Sequence, residues 1–164
     1  CASIATFGGI ALFLMEDITP EAQIAAVQEK MIELSQSDLN QSIEALNSTR
    51  PEAIDFVSLG CPHLSIKEIA RIAELLHGKQ VRKEFWLTTA RPTKNIADRM
   101  GYTKIIEESG AKFAADTCCV VAPIKGRFKS IGTDSAKACY YAYAKNNFQT
   151  VFLPFDEVVR EALK

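Results

Sequence analysis

Apolar positions along this chain fall into short blocks whose spacing switches between strand and helix periods. Ile54-Asp55-Phe56-Val57-Ser58-Leu59 reads as a short buried strand ended by Gly60 and Pro62. Ser65 then opens a helix with Glu68 as its capping-box partner. Ile66, Ile69, Ile72, Ala73 and Leu76 fall on one face of that helix, and Gly78 stops it. Lys83 to Thr88, with Phe85, Trp86 and Leu87, supplies the next strand. The spacing then predicts a helix capped by Thr93, with Ile96, Ala97, Met100 and later Ile105 pointing inward. Lys112 to Ala115 is a further short strand. Ser130-Ile131-Gly132 leads through Thr133-Asp134-Ser135 into a helix from Ala136 to Lys145. Thr150-Val151-Phe152-Leu153 is the last strand. Pro154 introduces a closing helix from Phe155 to Leu163, with Asp156 and Glu157 in its first turn.

The first fifty residues are less regular. Ile4 to Phe13 is strand-like, Met31 to Leu34 reads as a strand, and Asp38 to Leu46 as a helix opened by Ser37. Thr19 to Gln28 fits either state. Alternation of strand and helix over most of the chain predicts an α/β fold: a mostly parallel central sheet with helices on both faces, three layers in all. No repeat, low-complexity tract or linker divides the chain, so residues 1–164 are expected to form one α/β domain. The start on Cys1 rather than Met predicts a portion of a longer polypeptide.

Composition narrows the function classes. Apolar residues make up 48% and charged residues 24%, which indicates a globular chain and excludes disorder or a fibrous class. A net charge of -1 gives no electrostatic reason to expect nucleic acid or an anionic membrane as partner. The apolar stretch Gly8 to Met15 is too short to span a bilayer and lacks the flanks of a signal peptide. Five cysteines, an odd number with Cys118 and Cys119 adjacent, suit a reducing compartment, hence a cytoplasmic address, better than a disulfide framework. A nucleotide-binding module would carry a glycine-rich turn after its first strand, and no such pattern occurs.

The candidate chemistry sits where strands end. Gly60-Cys61-Pro62-His63 and Asp116-Thr117-Cys118-Cys119 each follow a strand-like run, and loops at the carboxyl ends of strands converge on one edge of an α/β sheet. Cys61 and Cys118 are therefore candidates for a shared iron or iron-sulfur centre; the alternative is a pair of buried core thiols. Cys119 would point the opposite way along extended backbone and pack, and Cys139 lies mid-helix as a core residue. His63 is either an acid, base or hydrogen-bond donor at the site or a cap for the Ser65 helix. His77, before Gly78, is structural. At the start of the Ala136 helix, free backbone N–H groups, the Ser135 hydroxyl and the Lys137 ammonium together suit a carboxylate or phosphate; an ordinary N-cap is the other reading. Arg91, after the Trp86 strand, is either a carboxylate clamp or a loop arginine bonded to carbonyls. The basic turn Lys125 to Lys129 either steers an anion or is solvated loop.

These residues also carry a resemblance. The run Ile54 to Ser65 with Glu68-Ile69-Ala70, then Asp116-Thr117-Cys118, then Thr133-Asp134-Ser135-Ala136-Lys137 with Tyr140-Tyr141 resembles, in order and spacing, the catalytic large-subunit part of aconitase X. Gly8 to Phe13 followed by Ile18-Thr19-Pro20-Glu21-Ala22 is similar to the same family, and the chain looks like its carboxyl-terminal portion. The resemblance implies an iron-dependent hydro-lyase that removes water from a small hydroxy acid, working with a small swivelling subunit or domain; this portion alone would be inactive. It implies metal-ligand roles for Cys61 and Cys118, with a third ligand upstream of residue 1, on an iron-sulfur cluster or mononuclear iron. Beside these ligands, the residues themselves make His63 and Ser135 the candidate catalytic groups and Ser65, Arg91, Ser135 and Lys137 the candidate substrate contacts. Asp134 stands where the family usually has asparagine, and a carboxylate there repels an anionic substrate unless Lys137 neutralises it. Because the chain shows no strong phosphate cradle, cis-3-hydroxy-L-proline is the preferred substrate. The alternatives are mevalonate 5-phosphate, or a non-catalytic α/β interaction domain that kept the fold.

Overall fold

A computed structural model describes residues 2–23 and 31–164. Five strands, β1 (Phe56–Leu59), β2 (Glu84–Thr89), β3 (Lys112–Ala115), β4 (Ser130–Thr133) and β5 (Gln149–Phe152), form one all-parallel sheet in the order β3-β2-β1-β4-β5. The centre of the sheet is apolar on both faces, as a sheet covered on both sides requires. Along β1 the side chains alternate: Val57 and Leu59 enter one core, Phe56 the other. The first core is closed by α3 (Ile66–Leu76), α4 (Arg91–Arg99), α5 (Tyr102–Glu108) and α7 (Phe155–Ala162). The second is closed by the loop through Cys119, Val120, Ile124 and Phe128 and by the helical segment beyond β4, which brings Ala142 and Tyr141. Phe56 stacks on Phe128 at 4.5 Å between ring centroids and meets Trp86 and Phe148 edge-on. The expected α/β class is the one observed.

Local sequence accounts for the best-read elements. Ser65 and Glu68 form the reciprocal capping box, and Ile69, Ile72, Ala73 and Leu76 are buried along α3. α7 buries Val158, Val159 and Ala162, with Asp156 and Glu157 in its first turn. The predicted helix after Ser135 is present, but its second half widens: α6 (Ala136–Tyr141) continues as a π-turn, Ala142–Asn146, ended by Asn147 at φ 58°.

Other expectations need correction. Ile4 to Phe13 is not a strand: α1 (Ala2–Gly8) is followed by irregular chain, and Phe7 packs edge-on against Tyr140 of α6 at 5.0 Å. An apolar run becomes a strand only beside a free sheet edge, and along β5 the chain from Leu46 to Ser48 lies there instead. Ser48 N donates to Thr150 O at 2.9 Å and Phe152 N to the Asn47 side chain at 2.7 Å. Met31 to Leu34 is likewise irregular, with Met31, Ile32 and Leu34 exposed. α2 (Gln36–Ala45) begins two residues before the expected start, because Ser35 has an acid three residues on and Ser37 does not: Ser35 N donates to Asp38 at 2.8 Å, and Asp38 N donates back to the Ser35 hydroxyl. Of the ambiguous stretch Thr19 to Gln28, Pro20–Gln23 is a 3-10 turn and the remainder lies outside the described residues. Thr93 does not cap α4. That helix starts at Arg91, directly before Pro92, and a carboxylate from another loop bonds its first N–H. Ile96 and Met100 are exposed, since α4 ends at a left-handed Gly101 and hands the core to Ile106 of α5. Among the described residues, no helix is long and apolar enough to cross a membrane.

Candidate metal and substrate site at the strand ends

From β1 the chain winds outward through β2 to β3, then crosses back to β4 on the other side of β1. The order therefore reverses between β1 and β4. In open parallel sheets the loops leaving such a pair diverge and form a crevice at the carboxyl ends of the strands. The loop after β1 carries Cys61, and the turn after β4 carries Asp134 and Ser135.

Backbone geometry fixes the first loop. Gly60 has φ 109°, and a Cβ built on it would lie 2.1 Å from the Thr88 carbonyl oxygen, so only glycine fits. The Thr88 hydroxyl donates to Gly60 O at 2.7 Å, and Thr88 O accepts from Leu64 N at 3.0 Å. Thr89 donates its hydroxyl to Leu64 O at 2.6 Å, while its own carbonyl accepts from Asp116 N at 2.9 Å. The end of β2 thus grips the Cys61 loop on one side and the Cys118 turn on the other. The Cys61-Pro62 bond within the first loop is cis.

The two cysteine-bearing segments also meet directly. His63 Nε2 lies 2.9 Å from the Thr117 carbonyl oxygen; an oxygen there can only accept, so Nε2 carries the proton. Cys61 and Cys118 are both half-buried, and charge on Cys118 adds to the influences that push the Cys61 thiol up. Burial is the largest influence pushing the Cys61 thiol up. A hydrogen bond from Ser135 and the charge of Lys137 act the opposite way. Ser135 is buried as the N-cap of α6, its Oγ accepting from Ala138 N at 3.0 Å. Burial also pushes the Asp134 carboxyl up, and nearby Glu68 adds to the effect. Cys61, Cys118, Ser135, Lys137 and Asp134 therefore share one neighbourhood.

The remaining candidates are engaged elsewhere. Ser65 is taken up by the capping box, its hydroxyl 2.7 Å from Glu68 Oε2. Arg91 is clasped to Asp116: its backbone N–H donates to Oδ1 at 2.8 Å and its Nε–H to Oδ2 at 2.9 Å. Cys119 and Cys139 are buried, as expected of core thiols, and burial pushes each thiol up to about 12. Sequence reasoning gave no role to Thr88, Thr89 or Asp116, the residues that hold the loops. The available signal was a Thr-Thr pair ending a strand and an Asp directly before the cysteine turn.

A family model described as the aconitase X third domain matches residues 54–164. The chain belongs to the aconitase X family. A crystal structure of Thermococcus kodakaraensis aconitase X in its holo-form superposes on this member with a TM-score of 0.87 at 36% identity, covering 98% of this chain and 42% of that one. A Methanocaldococcus jannaschii protein named phosphomevalonate dehydratase large subunit is 38% identical over 97% of this chain and 40% of its own length. A Hypocrea jecorina protein named cis-3-hydroxy-L-proline dehydratase is 32% identical over 85% of this chain and 26% of its own. This aconitase X chain thus spans about two fifths of the large subunit it matches from Methanocaldococcus.

The donor chemistry fits an iron centre in part. Two half-buried thiols on neighbouring loops at the strand ends suit iron or an iron-sulfur cluster. Among the described residues no third His, Cys, Asp or Glu joins them as a metal-binding group.

Proposed function

We propose that this chain forms part of the catalytic site of an iron or iron-sulfur dependent dehydratase, a hydro-lyase acting on a small anionic hydroxy acid. The observation that carries this reading is the convergence of the Cys61 loop and the Cys118 turn, bonded through His63 and Thr117, at the sheet's switch point. Cys61 and Cys118 would hold the centre, with a third ligand from a part of the large subunit outside these 164 residues. When bound, iron with an open position supplies Lewis acidity that eases departure of a hydroxyl group.

The chain's own residues have separable tasks. The Ser135 hydroxyl and the Lys137 charge act against burial to lower the Cys61 pKa and so would favour the thiolate that binds metal. Lys137 and the N-terminal turn of α6 offer positive potential to the substrate's carboxylate or phosphate. His63, held at Nε2 by Thr117, keeps Nδ1 for substrate or a bridging water. Arg91, bonded to Asp116 through Nε, would offer its Nη groups to the substrate's carboxylate, and Ser65 serves by fixing the start of α3.

The sequence favoured cis-3-hydroxy-L-proline as substrate; four relatives named phosphomevalonate dehydratase large subunit, 34 to 38% identical over 97 to 98% of the chain, support mevalonate 5-phosphate over the 32% and 28% of those named for cis-3-hydroxy-L-proline. We adopt mevalonate 5-phosphate, with a small swivelling subunit as partner and the cytoplasm as the compartment that keeps the thiols reduced. The test is iron and sulfide content of the full-length large subunit, purified anaerobically with its small subunit, for wild type, Cys61→Ser and Cys118→Ser, together with dehydration of both substrates. Iron lost in both variants and turnover of mevalonate 5-phosphate are expected. Turnover of cis-3-hydroxy-L-proline alone would reverse the substrate assignment. Iron unchanged by both substitutions would refute the metal roles and leave a non-catalytic domain with an enzyme's shape.

A further inference from the structure

Among the residues that hold the loops, Asp116 also has an unusual backbone. It adopts φ 59°, a left-handed conformation uncommon for residues other than glycine. Its backbone N–H is held by Thr89 O at 2.9 Å, and its carboxylate accepts from both the backbone N–H and the Nε–H of Arg91 at the start of α4. Immediately after it, the Thr117 carbonyl accepts a hydrogen bond from His63 Nε2 of the Cys61 loop. Cys118 follows, and its carbonyl accepts from Val121 N and Ala122 N at 3.2 Å in the turn that sinks Cys119 and Val120 into the second core. The short path from Asp116 to Cys118 therefore has contacts with β2, with α4 and with the Cys61 loop. Among the described residues, only the clasp at Asp116 ties the Cys118 turn to α4 by side-chain bonds.

We infer that Asp116 is a positioning residue: clasped by Arg91, it sets the left-handed turn that carries Cys118 and holds it toward the Cys61 loop, so that both thiols can engage one atom. This inference rests on the reading of the two cysteines as a shared ligand pair. It differs from that reading in what it claims, since the pair could be ligands without Asp116 holding them.

The experiment uses the metal-free chain and phenylarsine oxide, which is bound tightly only where two thiols reach one arsenic atom. The wild-type chain is expected to chelate one equivalent, with affinity lowered at least about tenfold in Cys61→Ser and in Cys118→Ser. Asp116→Ala is expected to lower the affinity about tenfold. Asp116→Asn, which tolerates positive φ and keeps one acceptor for the Arg91 amide, is expected to fall between. The rate at which iodoacetamide alkylates Cys118 is expected to stay within about twofold of wild type, because a single thiol needs no partner; a general loosening of the fold would raise it. Arg91→Ala, a change at an exposed side chain, serves if Asp116→Ala does not fold, with an expected loss of about threefold. Wild-type chelation in Asp116→Ala, or in Arg91→Ala where only that variant folds, would overturn the positioning role and leave the ligand pair standing. Chelation untouched by Cys61→Ser would overturn the juxtaposition of the sulfurs, and with it both readings.

Discussion

At Gly60 the constraint is steric and comes from backbone, which cannot swing aside. A methyl group there would press on the Thr88 carbonyl at 2.1 Å while φ stays at 109°. Gly60→Ala is therefore expected to cost about 3 kcal/mol or more, read as a lowered urea midpoint at unchanged slope. Asp134 presents the opposite case, a side chain whose removal should help. Its carboxyl is pushed up by burial and by Glu68, so Asp134→Asn relieves a desolvated charge and takes a like charge away from an anionic substrate. In the full-length enzyme the expected outcome is a KM lower by roughly tenfold with kcat little changed, measured by steady-state dehydration. A KM that rises would show that the carboxylate contacts the substrate productively. At this scale the site was only half legible. Cys61, Cys118, Ser135 and Lys137 could be picked out because each follows a strand or opens a helix. Thr88 could not be linked to Gly60, since the bond joins residues 28 positions apart and depends on β1 and β2 being neighbours.

Elements were legible where their signals are local. The capping box of α3 and its buried face lie within twelve residues, so sequence and structure agree there. α4 fails the same test because its cap is not local: Asp116, 25 residues on, bonds the Arg91 N–H, and Thr93 has nothing to cap. α1 fails because an apolar run does not declare whether a sheet edge is free to receive it. Ser65 allows the local account to be checked against a substrate-binding role. As a cap, Ser65→Ala should cost about 1 kcal/mol of stability, seen in thermal or urea unfolding of the chain. It should leave the KM of the assembled enzyme within about twofold, because the hydroxyl is already bonded to Glu68. A large rise in KM with unaltered stability would return Ser65 to the substrate.

For the whole molecule, closure depends on an ion cluster far from the cysteines in sequence. Glu161, on the last turn of α7, is buried, with Lys83 Nζ at 2.6 Å and Lys164 Nζ at 2.7 Å from its two oxygens. Arg82 N also donates to Ala162 O, so the cluster fastens the closing helix to the start of β2. Burial by itself would raise the Glu161 pKa; the hydrogen bonds from Lys164 and Lys83 outweigh it, and the carboxyl ends below its ordinary value of 4.5. A folded-state pKa below the unfolded one means that the unfolded chain binds more protons as pH falls. The contribution is therefore complete above about pH 4.5 and disappears as pH drops through the folded-state value. Asp98, Asp116 and Asp156 are shifted the same way by their own partners and steepen the same limb. Urea midpoints should be flat from pH 7 to 5 and fall below pH 4.5. Glu161→Gln should lower stability by about 1 to 3 kcal/mol at pH 7, with two lysines left facing a neutral amide. Its stability should decline less on acidification, so that the two curves converge near pH 3. Parallel curves across that range would mean that Glu161 titrates alike in both states and that the cluster adds no pH-dependent stability.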